Sequence, residues 1–183
     1  KNKKITFIDL FAGCGGLSEG FMSTEKFEGL AHVEWEKPMV NTLRHRLVDK
    51  WGHSREDASK RVIHFDIQRT DELISGFNDS VYGSSVGLDE LVGANQVDLI
   101  VGGPPCQAYS IAGRVRDENG MQDDYRNFLF ESYVKLVNHY QPKAFVFENV
   151  EGILSAKPGG ISIVKRIKKA FNEIGYEITD NLR

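Results

Sequence analysis

Short apolar runs recur along the chain, separated by polar segments and by helical patterns. Ile5–Leu10 is the first such run, and similar runs cover residues 28–33, 61–67, 97–101 and 143–150. Their length and their β-branched residues predict buried strands. Apolar positions at helical spacing predict helices from Pro38 to about Lys50 and over residues 127–140 and 159–174. Strands that alternate with helices predict an α/β fold, a mostly parallel sheet with helices on both faces.

The segments between these elements predict connections of several kinds. Residues 51–60 are polar and predict a loop, whereas residues 70–77 predict a short helix. Residues 78–95 contain several serines and glycines and predict a mobile insertion. Residues 112–125 show no periodicity, and a polar loop of that length predicts a moving lid. Residues 176–179 predict the start of a sixth strand.

Composition narrows the class of protein. The chain has 183 residues, 40% hydrophobic and 27% charged, which predicts one globular domain over residues 1–183. Neither an apolar run of ~20 residues nor a signal-peptide pattern occurs, so we expect a cytoplasmic protein without a membrane partner. Cys14 and Cys106 lie in different motifs without metal-ligand spacing, which predicts neither a disulfide nor a metal site. The net charge of −3 gives no overall sign of nucleic-acid binding, although local binding stays open through Lys165, Arg166, Lys168 and Lys169.

A glycine-rich loop follows the first predicted strand. It contains Gly13, Gly15 and Gly16, which let the backbone approach a ligand closely. Alone, this loop is a weak signal of a cofactor site. Asp9, Glu34 and Asp66 strengthen it, because each lies at the C-terminal end of a predicted strand. A single acid there more often caps a helix, but three at one sheet edge predict a ligand rich in hydrogen-bond donors. Glu34 has the position at which Rossmann-like folds hold a ribose, and Trp35 either covers an adenine or packs on its own helix.

A second motif carries a candidate nucleophile. Two glycines and two prolines must end the run at 97–101, so Cys106 follows directly after a strand end on a stiff stem. A free cysteine is more often a buried filler, but the polar, turn-rich surroundings favour an accessible thiol. Glu148 ends the apolar run at 143–150, so we expect it to be partly desolvated with a raised pKa. Its alternative role is a helix cap.

Three motifs in this order resemble those of the DNA cytosine C5-methyltransferases. They are FIDLFAGCGG at Phe7–Gly16, GPPCQ at Gly103–Gln107 and FENV at Phe147–Val150, and weaker matches surround Glu34-Trp35, Asp66-Ile67 and residues 126–130. The resemblance implies the Rossmann-like fold of S-adenosylmethionine-dependent methyltransferases. It also implies that the cofactor is S-adenosyl-L-methionine. The residues that would bind it are Asp9, Phe11, Ala12, Gly13, Cys14, Gly15, Gly16, Glu34, Trp35, Asp66, Ile67, Pro105 and Leu129.

The resemblance also implies the chemistry. The Cys106 thiolate would attack C6 of a flipped-out cytosine in double-stranded DNA, and Glu148 would stabilise N3 while C5 takes the methyl group. Such an enzyme would work in the cytosol or nucleoid of a bacterium. The family's target-recognition domain and C-terminal segment do not follow in these residues. We therefore expect an incomplete domain whose partner is its missing C-terminal portion or a complementary subunit. The alternative function is a non-catalytic, cofactor-binding or DNA-associated module of the same fold.

Overall fold

A computed structural model describes residues 3–105, 129–149, 153, 157 and 162–179. The described residues form two compact units. The first comprises those up to residue 103 together with 140–147, and the second comprises those in 104–139 and 148–179. Whether the chain acts as one domain stays a prediction. No helix among the described residues is long and apolar enough to cross a membrane.

A five-stranded parallel sheet forms the centre of the first unit. Its strands are β1 (Ile5–Leu10), β2 (Phe27–Glu34), β3 (Val62–His64), β6 (Leu99–Gly102) and β7 (Ala144–Phe147). They lie in the order β3-β2-β1-β6-β7, and each pair of neighbours is parallel. The predicted parallel sheet is confirmed.

Five helices belong to the same unit. They are α1 (Gly16–Met22), α2 (Lys37–Asp49), α3 (Arg55–Arg61), α4 (Thr70–Ser75) and α5 (Leu88–Val92). The predicted helix from Pro38 to about Lys50 is confirmed as α2, whose first turn contains that proline. Side chains of α1, α2 and α3 pack with side chains of the sheet in one buried cluster: Phe7, Met22, Val40, Leu43, Leu47, Ala58, Val62, Leu99 and Val101.

The second unit contains α6 (Leu129–Tyr140), except for its last residue, and α7 (Ile163–Glu173). Both helices were predicted from their apolar stripes. Tyr133 and Phe171 are fully buried and meet edge to face, with their ring centroids 6.0 Å apart. That helices cover both faces of the sheet stays a prediction.

The pairing of β1 with β2 contains one irregularity. Phe7 pairs with Gly29, but Ile8 pairs with Ala31, so Leu30 is an extra residue in β2. Beyond this bulge, Asp9 pairs with His32. Residues paired across parallel strands project to the same face, so these two side chains emerge side by side.

Two predicted loops are wrong. Within residues 51–60, α3 forms because Ser54 caps it, accepting a 3.0 Å hydrogen bond from the Asp57 backbone. The helix escaped detection because Ala58 is its one buried residue and no apolar stripe results. The expected mobile insertion 78–95 instead holds α5 and an antiparallel hairpin, β4 (Phe77–Asp79) and β5 (Gly83–Ser85). Phe77 stacks on Phe65 with 3.8 Å between ring centroids, which anchors the hairpin.

Three strand predictions need correction as well. The third strand ends at His64 rather than at residue 67, because Asp66 accepts a hydrogen bond from the Gln68 backbone and turns the chain. β7 is not wholly buried: Ala144 is exposed and the other three residues are half-buried. Residues 176–179 form no strand.

Candidate cofactor site

The glycine loop begins where the connectivity of the sheet changes direction. From β1 the chain proceeds to β2 and β3 on one side and returns through β6 on the other. In open α/β sheets, ligands bind beyond the carboxyl ends of the strands at this point. Gly102, the last residue of β6, pairs with Leu10 so closely that a Cβ there would lie 2.2 Å from the Leu10 carbonyl oxygen. A glycine is therefore required for the two strands to meet at this edge.

The loop backbone adopts conformations that few residues tolerate. Gly13 and Gly15 have φ angles of 56° and 89°, and Phe11, with a side chain, has 60°. A Cβ on Gly15 would also lie 2.4 Å from Cδ1 of Leu43. The Ala12 backbone donates a 2.9 Å hydrogen bond to the Val33 carbonyl, which fastens the loop to β2. The loop is thus bent sharply and packed against α2.

Glu34 lies directly against this loop. Its Oε2 accepts a 2.7 Å hydrogen bond from the Gly13 backbone, and its Oε1 accepts a 2.8 Å bond from the Glu36 backbone. Only 7% of the residue is exposed. Each carboxylate oxygen can accept a further hydrogen bond, so the group can hold the loop and a ligand hydroxyl at once. The sequence predicted the ligand role but not the hydrogen bond to the loop.

Asp9 lies below the loop and is fully buried. Its Oδ2 accepts a short hydrogen bond from the Ser18 hydroxyl, and the Ser18 oxygen lies 2.8 Å from Nδ1 of His32. Burial raises the pKa of Asp9 to about 7, although the bonds from Ser18 lower it; the nearby Glu34 charge raises it further. Burial also lowers the pKa of His32 to about 3, so this imidazole is neutral. Direct contact of Asp9 with a cofactor stays a prediction.

Other residues predicted to bind the cofactor follow the ends of β2 and β3. Trp35 is 44% exposed. The carboxylate of Asp66 accepts a 3.0 Å hydrogen bond from the Gln68 backbone, while Ile67 is buried. Cys14 is an exposed free cysteine. Because β3, β2 and β1 are neighbours in the sheet, the structure brings these residues together with the glycine loop at one edge.

The predicted catalytic pair is only partly described. Cys106 lies outside the described residues, as does the predicted lid at 112–125. Glu148 is exposed, so the expectation that it is desolvated is wrong in this structure; it follows a half-buried strand rather than a fully buried one. Next to it, the side-chain amide of Asn149 donates a 3.4 Å hydrogen bond to the Pro104 carbonyl. In the second unit, Leu129 is buried at the start of α6.

Comparison with known proteins identifies the family. The sequence profile of the C-5 cytosine-specific DNA methylases matches residues 5–182. The chain belongs to this family. Membership of the DNA cytosine C5-methyltransferase family was expected from the three motifs, and that expectation is confirmed.

Curated relatives of this chain include two type II methyltransferases. M.Bpa9945I of Bacillus paralicheniformis is 37% identical over 206 residues, covering 93% of this chain and 46% of the relative. M.DdeI of Desulfomicrobium norvegicum is 35% identical over 178 residues, covering 95% of this chain and 35% of the relative. The chain thus spans less than half the length of either relative.

Solved structures show the same fold at lower identity. The Dnmt2 methyltransferase of S. pombe superposes with a TM-score of 0.51 at 15% identity, covering 91% of this chain and 40% of that one. A DNMT2 mutant from Spodoptera frugiperda gives 0.52 at 18% identity, with coverages of 91% and 41%. The predicted Rossmann-like methyltransferase fold is confirmed.

Sequence reasoning missed Ser18 and His32. Both are buried polar residues, and both contact Asp9 or its hydrogen-bond partner. A signal was present for His32, since it is the polar residue of the apolar stretch at 30–33. A buried polar side chain needs a partner, and here the partner is 14 residues away in sequence.

Proposed function

We propose that this cytosine methylase chain binds S-adenosyl-L-methionine at the carboxyl ends of β1, β2 and β3. Within the whole protein, the cofactor would serve methyl transfer to C5 of cytosine in double-stranded DNA. The hydrogen bond between the Gly13 backbone and Glu34 carries the proposal, because it joins the acid of β2 to the glycine loop after β1. Rossmann-like folds hold a ribose beside such a loop with an acid in this position.

The residues present fit this cofactor. Glu34 offers acceptors for the ribose hydroxyls, and the exposed Trp35 ring offers a surface for the adenine. Asp66 supplies a further acceptor for a donor group on the base. When bound, S-adenosylmethionine supplies an electrophilic methyl group on a sulfonium centre.

The chemistry of cytosine sets the task for Cys106. C5 of the aromatic ring is a poor nucleophile, so the Cys106 thiolate adds to C6 and makes C5 an enamine carbon. C5 could then take the methyl group that bound S-adenosylmethionine would supply, which would leave the cofactor as S-adenosylhomocysteine. Loss of the C5 proton and cleavage of the S–C6 bond restore the ring and the thiolate. Both electrons of the S–C6 bond return to sulfur.

Glu148 would assist the same addition step by acting at N3 of the base. Addition at C6 pushes electron density toward N3, where a carboxylic acid stabilises it by donating a proton or a hydrogen bond. An exposed side chain, as Glu148 has here, becomes desolvated when a base covers it. The base must leave the duplex stack first, at a cost of a few kcal/mol that protein contacts offset.

Calorimetric titration with S-adenosylhomocysteine tests the cofactor site. We expect binding by the chain, and at least tenfold weaker binding by the Glu34→Gln variant, because a charged acceptor is lost. Glu28→Gln is the matched control, since Glu28 is an exposed residue of the same strand. Equal affinities of both variants and the parent, or no binding by the parent, would contradict the site.

Covalent trapping tests the reaction. The complete translation product that carries this sequence is incubated with S-adenosylmethionine and a duplex containing 5-fluorocytosine, which blocks release of the thiolate from the methylated base. We expect a stable protein–DNA adduct that the Cys106→Ser variant does not form. Cofactor binding without an adduct would support the non-catalytic alternative and exclude the proposed chemistry.

A further inference from the structure

A buried hydrogen-bond chain connects three elements beneath the glycine loop. Asp9 belongs to β1 and His32 to β2. Ser18 belongs to α1, the helix that directly follows the glycine loop. Asp9 and Ser18 are fully buried, and His32 is 1% exposed. The Glu19 backbone donates to the Gly15 carbonyl at 2.9 Å, so the residue after Ser18 is bonded directly to the loop.

The direction of each hydrogen bond follows from the groups involved. Ser18 has one hydroxyl hydrogen, which it donates to Asp9. Its oxygen must therefore accept the second bond, so Nδ1 of the neutral His32 carries the proton. The series of hydrogen bonds then runs from the imidazole N–H through the Ser18 hydroxyl to Oδ2 of Asp9, and the hydroxyl both donates and accepts.

We propose that Ser18 and His32 are positioning residues for the cofactor: by tying α1 to Asp9 of β1 and to β2, they hold residues 11–15 in the binding conformation. The proposal rests on the proposed function, because it concerns the same loop. Both side chains are buried, and neither is among the residues predicted to contact the cofactor. Their effect passes through the α1 backbone to Gly15.

The loop needs such support because its backbone is strained. Phe11 holds a φ of 60°, a conformation that is unfavourable for a residue with a side chain. Such a backbone persists only where the surroundings fix it. The hydrogen bond from Ala12 fixes one end to β2, and Ser18 fixes the helix that begins at the other end.

The charged groups near Asp9 and His32 do not replace the hydrogen bonds that Ser18 makes. Glu34 acts on Asp9 through its charge, and His53 and Arg61 act in the same way on His32. All three lie outside the hydrogen-bonded chain itself, so removal of the Ser18 hydroxyl leaves Asp9 without its side-chain donor.

Amide hydrogen exchange followed by NMR tests the positioning directly, without any ligand. Ala12, Gly13 and Gly15 each donate a backbone hydrogen bond at 2.7–2.9 Å, so their exchange reports on the loop. We expect at least tenfold faster exchange at these amides in Ser18→Ala. Ser23→Ala is the matched control, because it removes an exposed hydroxyl at the end of the same helix. The Ile100 amide in β6 serves as the reference for global stability.

Binding of S-adenosylhomocysteine gives the second measurement, taken well below the unfolding midpoint of each variant. We expect Ser18→Ala and His32→Leu to bind at least tenfold more weakly than the parent. His32→Asn keeps an N–H donor near the position of Nδ1 and should restore most of the affinity, although both His32 variants lose stability. This rescue separates positioning from packing.

The outcomes distinguish the proposal from the proposed function. If exchange in Ser18→Ala rises equally at the loop and at Ile100, the residue is merely structural and the proposal is overturned. Loop exchange as slow as in the parent overturns it too. If the parent does not bind S-adenosylhomocysteine, the proposed function fails. The exchange result alone then decides whether Ser18 and His32 position the loop.

Discussion

Replacing the buried carboxyl group of Asp9 changes how stability depends on pH. The Asp9→Asn substitution keeps an oxygen that accepts from Ser18 and removes the ionisable group. In the folded chain the pKa of Asp9 is about 7, against 3.8 for the ordinary side chain, and burial is the main cause. Between these two pH values the folded state holds a proton that the unfolded chain has lost. Stability therefore falls as pH rises through this window.

The size of the effect follows from the two pKa values. A rise from 3.8 to about 7 corresponds to about 4 kcal/mol, because each tenfold change in proton affinity is about 1.4 kcal/mol. The residue is fully buried, so solvent screening does not reduce this figure much. The free energy of unfolding of the parent minus that of Asp9→Asn should fall by about 4 kcal/mol from pH 4 to pH 8.

The neighbouring imidazole has the opposite pH dependence. Burial lowers the pKa of His32 from 6.5 to about 3, so stability is lost as pH falls from 6.5 toward 3. In the parent these two contributions oppose each other between pH 4 and 6.5. In Asp9→Asn the contribution of His32 remains alone, and this variant should lose stability in acid more steeply than the parent.

Urea unfolding at pH 4, 5, 6, 7 and 8 measures the difference. Asp49→Asn, at the exposed end of α2, is the control for removing a carboxyl group at the surface. A parent-minus-variant difference that is flat for Asp9→Asn, or that rises with pH, would refute the reasoning that Asp9 is buried and hard to ionise.

Two further predictions concern stability. Gly102→Ala places a Cβ against the Leu10 carbonyl oxygen and should cost about 1–3 kcal/mol in urea unfolding, whereas Gly20→Ala has open space in α1 and should stabilise by about 0.5–1 kcal/mol. Equal effects would show that the two strands do not approach so closely. Ser54→Ala removes the cap of α3 and should cost about 1 kcal/mol, while Ser59→Ala in the same helix should change stability by less than about 0.5 kcal/mol. A reversed order would contradict the assigned cap.

The sequence predicts this sheet well because its signals are local. β1 and the α2 helix follow from an apolar run and an apolar stripe, and the glycines of the loop mark where the strand must turn. Glu34 could be chosen as a candidate because its position at a strand end is itself the signal. Membership of the family follows from motifs that combine such local features.

Contacts between distant residues could not be predicted in the same way. Ser18 has no neighbour in sequence that marks it as the partner of Asp9 and His32; that pairing exists only after β1 and β2 have paired. The hairpin after α4 is another case, since it depends on Phe77 stacking on Phe65 rather than on its own composition. Exposure of Glu148 follows from the half-buried state of β7, which an apolar sequence does not reveal.

The bulge at Leu30 decides which residue of β2 stands beside Asp9. If Leu30 paired with Ile8 instead, Asp9 would stand opposite Ala31, and His32 would project to the other face, because successive side chains of a strand alternate between faces. Deletion of Leu30 would keep Asp9 opposite His32, because Gly29 and Ala31 would then follow one another opposite Phe7 and Ile8. A one-codon deletion at the bulge should therefore be tolerated better than one at Val33, which would turn Glu34 to the other face.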